Sequence, residues 1–251
     1  MRRRRALFAL LLPVLFLSSA QAQFVSVALD ARGAAMGGCF LPSICEPNVA
    51  VSYRQGFMLT AMADKGLTAV LPTKRTGVAA VSYLHHGNTD YFEQQASVGY
   101  GIGILSWLMV GVEARYLNLG TSDAHYRPQH WLSAAARVRM TVGKRTLLSL
   151  SAGTRPWDDS HHYSLHLQMS HAPVKGLLAV VEGESEDKVR LRLGIEYCMD
   201  EGISFRAGAS SAPLAVTFGL GFRHRRFSID LAAESHRSLG ITPHTSLVLW
   251  F

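Results

Sequence analysis

His236 and Ser238 stand two residues apart, with Arg237 between them and Glu234 two places earlier. In an extended chain that spacing turns imidazole, hydroxyl and carboxylate to one face, where an imidazole can take the hydroxyl proton for acyl transfer. The pair falls at the end of a periodic segment, and no acid besides Glu234 shares its face. The expectation is no catalytic residue and no enzyme. Eleven histidines invite a metal reading, with His161, His162 and His166 in one cluster and His85 and His86 in another. Their spacing fixes no tetrahedral ligand set, and Cys39, Cys45 and Cys198 lack metal-type spacing. No metal and no cofactor is expected. Gly99-Tyr100-Gly101-Ile102-Gly103 is a glycine-rich strand end, not a phosphate-cradling loop.

The remaining reactive side chains are ionic. Glu93, Glu113, Arg115, Arg137, Arg139, Arg190, Arg192, Glu196, Arg206, Arg223, Arg225, Asp230 and Glu234 recur among apolar residues. If they face an enclosed lumen, two chemistries are open. They can satisfy one another as a salt-bridged wall, or form a basic lining that attracts an anionic group such as a carboxylate.

The elements that would position them alternate with period two. Val189, Leu191, Leu193, Ile195 and Tyr197 share one face, against Lys188, Arg190, Arg192, Gly194 and Glu196. Leu214, Val216, Phe218, Leu220 and Phe222 oppose Thr217, Gly219, Gly221, Arg223 and Arg225, and comparable runs cover 108–116, 132–140 and 227–236. Strands, not helices, place residues this way. The pattern predicts strands near 76–85, 91–103, 108–119, 131–142, 146–154, 163–171, 176–182, 187–198, 203–210, 214–225, 226–236 and 243–251. A weaker pair near 48–57 and 66–72 raises the expectation from twelve strands to fourteen. Links at 72–76, 105–107, 143–145, 173–175, 199–202 and 225–226 are tight, whereas those at 86–90, 120–130, 155–162, 183–186 and 237–242 are mostly longer and more polar.

Burying so many arginines in a dry sandwich core would be very costly. In hydrocarbon every backbone polar group must be paired, so strands cross a membrane only as a closed barrel, apolar side out. The fold class expected is all-β: a closed antiparallel transmembrane barrel of about fourteen strands over 48–251, with twelve as the alternative.

The rest of the sequence agrees with export to a membrane. Arg2–Arg5 precede an apolar run from Ala6 to Ser18 and the small-x-small site Ala20-Gln21-Ala22. That reads as a signal peptide over 1–22, too short for a spanning helix. The chain has 251 residues, 17% of them charged, and a net charge of +7. Removing the four leading arginines leaves +3, which gives no reason to expect nucleic acid. Cys39 and Cys45 are near enough for a small disulfide loop that would leave Cys198 odd, and three unpaired thiols fit as well. Residues 23–47 form a plug-like segment inside or under the barrel, or a flexible tail. Gly33, Gly37 and Gly38 allow close backbone packing there, with Arg32 and Met36 beside them, and Ala34–Met36 suits one helical turn. Thr245, Leu247, Leu249 and Phe251 close the chain on one apolar face, which reads as an assembly signal for the barrel assembly machinery.

Asp30-Ala31-Arg32-Gly33-Ala34-Ala35-Met36-Gly37-Gly38 resembles the N-terminal ARGxxMGG-type segment of FadL-like and PorV/PorQ-like barrels. Glu46-Pro47-Asn48-Val49-Ala50 stands where many of them carry Asn-Pro-Ala, in altered order. Gly77-Val78-Ala79-Ala80-Val81-Ser82-Tyr83-Leu84-His85-His86-Gly87 is similar to one of their strand-and-loop runs, and Leu239-Gly240-Ile241-Thr242-Pro243-His244 to their closing hairpin. The resemblance spans most of the mature chain. It implies fourteen strands and an N-terminal segment inside the barrel. It also implies a Gram-negative outer-membrane location with lipid around the barrel, and one of two roles. One is passage of small hydrophobic or amphiphilic molecules. The other is a non-transporting partner in type IX secretion or surface attachment. An outer-membrane acyl hydrolase using Ser238 is the remote third reading.

Overall fold

The structure, a computed structural model, describes residues 30–39, 46–73, 77–123, 125, 127–157, 160–185, 188–199 and 202–251. The expected signal peptide, the first part of segment 23–47 and Cys45 lie outside these residues. Fourteen strands follow one another: β1 (Asn48–Gln55), β2 (Ala63–Thr73), β3 (Gly77–Gly87), β4 (Tyr91–Leu105), β5 (Leu108–Thr121), β6 (Gln129–Val142), β7 (Thr146–Trp157), β8 (Ser160–His171), β9 (Leu177–Ser185), β10 (Val189–Cys198), β11 (Ile203–Ser211), β12 (Leu214–His224), β13 (Phe227–His236) and β14 (Gly240–Trp250). Each pairs antiparallel with its sequence neighbour, and β1 closes on β14 from Asn48 opposite Trp250 to Arg54 opposite His244. The twelve-strand alternative is thereby excluded, because the weakly patterned pair at the start forms two full staves.

The alternation sets the two surfaces. Leu191, Leu193, Phe218, Leu220 and Leu231 are each about half exposed on the outside, while Arg192, Glu196, Thr217 and Asp230 are buried within. A charged side chain moved to the outer face at mid-depth would cost about 2–4 kcal/mol in lipid. The solvent therefore decides that Arg192 points in and Leu193 points out. No helix of the described residues is long and apolar enough to cross a membrane; the strands cross instead.

The connections correct one expectation. Links on both ends are short, because β4 to β8 run further than the pattern of apolar residues indicated. Gly120, Gln129, His130 and Arg155–Trp157 join the ladders. Pairing satisfies backbone N–H and C=O whatever the side chains are, so polar composition does not end a strand. The pronounced loop asymmetry read from sequence reduces to a mild one, the longer links being 56–62 and 122–128.

Inside the barrel lies one short helix, α1 (Ala31–Ala35), against β11 to β14. Asp30 caps it, its Oδ1 accepting the Gly33 N–H at 2.7 Å. The helical turn thus begins earlier than the expected Ala34–Met36, and Met36 follows it as the C-cap. The wall makes room with glycine. A β-carbon on Gly194 would stand 2.6 Å from Met36 Cβ, one on Gly208 would overlap Gly37 N, and one on Gly219 would overlap Ala35 Cβ. Gly37 and Gly38 turn the chain through φ of +76° and +82°, values that a side chain disfavours.

Candidate functional site: a cavity beside the docked segment

Three kinds of contact hold segment 30–39 to the wall. Its backbone is tied to wall hydroxyls: Ala31 N–H donates to Ser246 Oγ at 3.2 Å, and Gly37 N–H to Thr217 Oγ1 at 2.9 Å. The Thr217 hydroxyl in turn donates to the Ala35 carbonyl at 2.8 Å. Arg32 forks onto Glu196 at 2.8 and 2.6 Å. Met36 and Cys39 fill the remaining space against Val180. Burial pushes the Asp30 carboxyl above its ordinary range, partly opposed by the Gly33 N–H. Burial, with Glu182 nearby, pushes the Cys39 thiol up to about 12. Cys39 is a free, buried thiol and Cys198 a free, exposed one.

Behind the segment the wall carries two ionic clusters. Arg206 reaches both Glu196 and Asp230 at 2.6 Å, so Glu196 is shared between the wall and Arg32. Arg192 reaches Glu182 and Glu184 at 2.5 Å each, and Gln168 donates to Glu182 at 2.8 Å. Glu182, Glu184 and Gln168 were not singled out from sequence. The signal existed, since Gln168 and Glu182 fall within expected strands and Glu184 continues the alternation just past the end of the second.

Beside the segment lies a cavity of about 610 Å³. It is bounded by Asp30, Arg32, Gly38 and Cys39 on the docked side, and elsewhere by small residues such as Ala50, Ala80, Ser97, Gly99, Ser149 and Ser151. It reaches the end of the barrel where β1 begins and β14 finishes, and Trp250 and Arg223 line it there. Toward the other end stands a polar cluster, with Arg54 at 2.8 Å and His86 at 2.5 Å from Asp64.

The structure distributes the charged candidates as follows. Glu113, Arg115, Arg137, Arg139, Arg192, Glu196, Arg206, Arg223 and Asp230 border the cavity. Arg115 forks onto Glu113 at 2.8 and 3.1 Å. Arg190 lies higher, on Glu184 at 3.1 Å, and Glu234 stands 3.7 Å from His244 near the same end. Tyr91 donates to Glu93. Arg225 is corrected: it sits exposed in the β12–β13 turn at φ +49°, because the strand stops at His224 and the alternation does not carry through the turn. The basic lining is corrected too. Arg32, Arg115, Arg137, Arg139, Arg192, Arg206 and Arg223 face an equal number of acids in Asp30, Glu46, Glu113, Glu182, Glu184, Glu196 and Asp230. The balance is uneven in space. Arginine predominates on β5 and β6, acid on β9 to β13 and the docked segment.

The β6–β7 seam is bridged by side chains above its ladder, as the β10–β11 seam is where Ser211 Oγ takes the Leu191 N–H at 2.9 Å. The β6–β7 ladder stops at Ala135 opposite Gly153. Above it Thr154 Oγ1 takes the Ala134 N–H at 3.2 Å and reaches the Ala134 carbonyl at 3.4 Å, while Ser133 Oγ donates to the Thr154 carbonyl. Side chains replace backbone pairs there, and Ser133, Gly153 and Thr154 all border the cavity.

The other sequence candidates are placed apart from the cavity. His236 Nδ1 accepts the Ser238 and Leu239 N–H groups at 3.2 Å each, so the imidazole closes the β13–β14 turn. Among the described residues no group of three or more His, Cys, Asp or Glu could hold a metal; the side chains of His161 and His162 lie outside those described. Leu247 and Leu249 face outward on β14, and Phe251 N–H donates to the Pro47 carbonyl at 3.0 Å.

Comparison with known proteins gives a shared fold at very low identity. No family model and no curated protein matches the chain. Among solved structures, the CymD monoaromatic hydrocarbon channel is similar, with 10% identity, a TM-score of 0.65, and coverage of 91% of this chain and 99% of that one. The Ralstonia pickettii toluene transporter TbuX matches at 10% identity and 0.60, covering 91% and 98%. The Pseudomonas putida toluene transporter TodX matches at 10% and 0.60, covering 88% and 96%.

Proposed function

We propose that this chain is an outer-membrane passage for small hydrophobic or amphiphilic molecules. One observation carries the reading: a closed barrel holds a docked inner segment and, beside it, a 610 Å³ cavity that reaches one end and borders the side-chain-bridged β6–β7 seam. A volume of this order suits a small organic guest. The hydrocarbon channels and transporters that share the fold support the same direction. The charged lining favours an amphiphile over a bare hydrocarbon, because a guest with a polar head leaves fewer of these groups without solvent. The secretion-partner reading calls for a filled lumen, and the cavity weighs against it.

The test is uptake into vesicles containing the purified barrel, using a labelled medium-chain fatty acid and a labelled monoaromatic compound in parallel. Flux above that of empty vesicles is expected for the acid at least. Flux equal to that of empty vesicles for both compounds overturns the reading.

A further inference from the structure

We infer that the end of the barrel where β1 begins and β14 finishes is a docking rim for the headgroups of anionic phospholipid. Three turns there carry exposed cations: Lys144 and Arg145 between β6 and β7, Lys175 between β8 and β9, and Arg225 and Arg226 between β12 and β13. The first two turns are neighbours, tied by a hydrogen bond from the Arg145 guanidinium to the Pro173 carbonyl. Among the described residues one acidic side chain stands at this rim, Glu46, and Arg223 holds it at 2.6 Å. The opposite end is mixed, with Lys65, Arg127, Lys188 and Arg237 set among Asp90, Glu93, Asp123 and Glu234.

Depth identifies the occupant. The same rim exposes Leu105, Trp107, Val174, Met199 and Phe251. In water such a ring of large apolar side chains would be a liability. At the boundary of the hydrocarbon it is an anchor, and cations one step further out lie at headgroup level with their stems along the apolar surface. Lysine and arginine clusters in that position attract anionic lipid, and the guanidinium fork matches a phosphate. Lipid phosphate is therefore the partner that meets both halves of the rim at once; a soluble polyanion would meet the cations alone.

Trp107 reports on this site. Its carbonyl accepts the Thr141 N–H at 2.8 Å, which sets the 106–107 turn beside the one carrying Lys144 and Arg145. The protein is prepared with Trp131, Trp157 and Trp250 replaced by Phe, and placed in phosphatidylcholine vesicles with a minority of phosphatidylglycerol. Bromine is carried on one lipid or on the other. Brominated phosphatidylglycerol is expected to quench Trp107 beyond its mole fraction. That excess is expected to fall in molar salt and to vanish in K144Q/R145Q/K175Q/R225Q/R226Q. Should that variant fail to assemble, K144Q/R145Q, in the turn beside Trp107, is expected to lose most of the excess, and R225Q/R226Q, across the barrel, to leave it. Quenching that follows mole fraction in the parent protein, or an excess that survives neutralisation in an assembled variant, overturns the inference. So does protection by a soluble polyphosphate without any lipid preference.

Discussion

The barrel has two unlike halves. From β9 to β14 the inner wall is occupied: glycines admit segment 30–39, wall hydroxyls take its backbone, and paired charges stand between and behind. From β2 to β7 Ala, Ser and Gly stand among the ionic side chains of Glu113, Arg115, Arg137 and Arg139, no segment of the described residues docks there, and the cavity lies on that side. The same alternation builds both. What differs is whether a small residue meets chain or meets space, and this separates a glycine that is a socket from a glycine that is a clearance.

Replacing one glycine in each half breaks the comparison most sharply. G208V forces a branched side chain into Gly37 N, where even a β-carbon overlaps. Gly99 has its nearest neighbour, the Val112 carbonyl oxygen, at 3.5 Å from a built β-carbon, so G99A meets only ordinary contact. In a C45S/C198S background, the Cys39 thiol of the parent is expected to resist maleimide, being buried and pushed up to about 12. G208V is expected to release the segment, return the thiol to its ordinary range near ~8.5, and make labelling complete at neutral pH. G99A should label no more than the parent. Equal resistance in G208V and G99A would show that the segment does not depend on this socket.

Charge removal gives the next largest contrast. Glu196 is almost fully buried and shared by Arg32 and Arg206. E196Q leaves two guanidinium groups short of a partner, for which about 3–5 kcal/mol is the usual cost of breaking a buried pair. Glu113 pairs with Arg115 on the cavity side, where both side chains keep about a quarter or more of their exposure. Water in the cavity screens that pair, so E113Q should cost about 1 kcal/mol or less. Denaturant unfolding in detergent or lipid measures both, and equal costs would contradict the division into a filled half and a wet one.

Much of this division was legible in the residues. Period-two alternation marked twelve strands clearly and β1 and β2 only weakly, hydrocarbon outside being what makes a stave declare its face. Arg32, Gly33, Met36, Gly37 and Gly38 stood out as a plug segment for their small residues. What alternation cannot carry is partnership. Nothing in the spacing couples Arg32 to Glu196, or Arg206 to Asp230, since the first pair depends on where the segment docks and the second on the register of two ladders across β12. It also fails at turns, where Arg225 continued the pattern on paper although the chain had already left the ladder. Gly194, Gly208 and Gly219, all inward on consecutive strands, were the readable trace of the socket. A glycine in a strand says that something approaches closely, without saying what.

The β6–β7 seam tests whether the open half is also the one that moves. Cysteines at 134 and 154 should bridge the two strands where side chains now do so. The disulfide is expected to reduce uptake several-fold, with recovery on reduction, if guests leave through the seam. A bridge between β12 and β13 at 216 and 235, an existing cross-strand pair, should leave uptake unchanged. Uptake indifferent to both bridges would direct the exit to the end of the barrel where β1 begins and β14 finishes.

The last contrast comes from two threonines that make the same pair of bonds in opposite settings. Thr217 accepts from Gly37 N–H and donates to the Ala35 carbonyl in a fully buried site. Thr154 bonds the Ala134 N–H and carbonyl at the half-buried seam. Valine keeps the shape of each and removes the hydroxyl. In T217V two backbone groups of the segment lose their partner away from water, at about 1–3 kcal/mol for each group left unsatisfied. In T154V water can replace the hydroxyl, so the loss should be about 0.5–1.5 kcal/mol. Uptake should move the other way. T217V leaves the seam untouched, whereas T154V removes the link that holds β7 to β6 above Gly153 and should raise the initial rate. If T154V slows uptake or T217V speeds it more, passage runs along the docked segment, and the filled half is the gate.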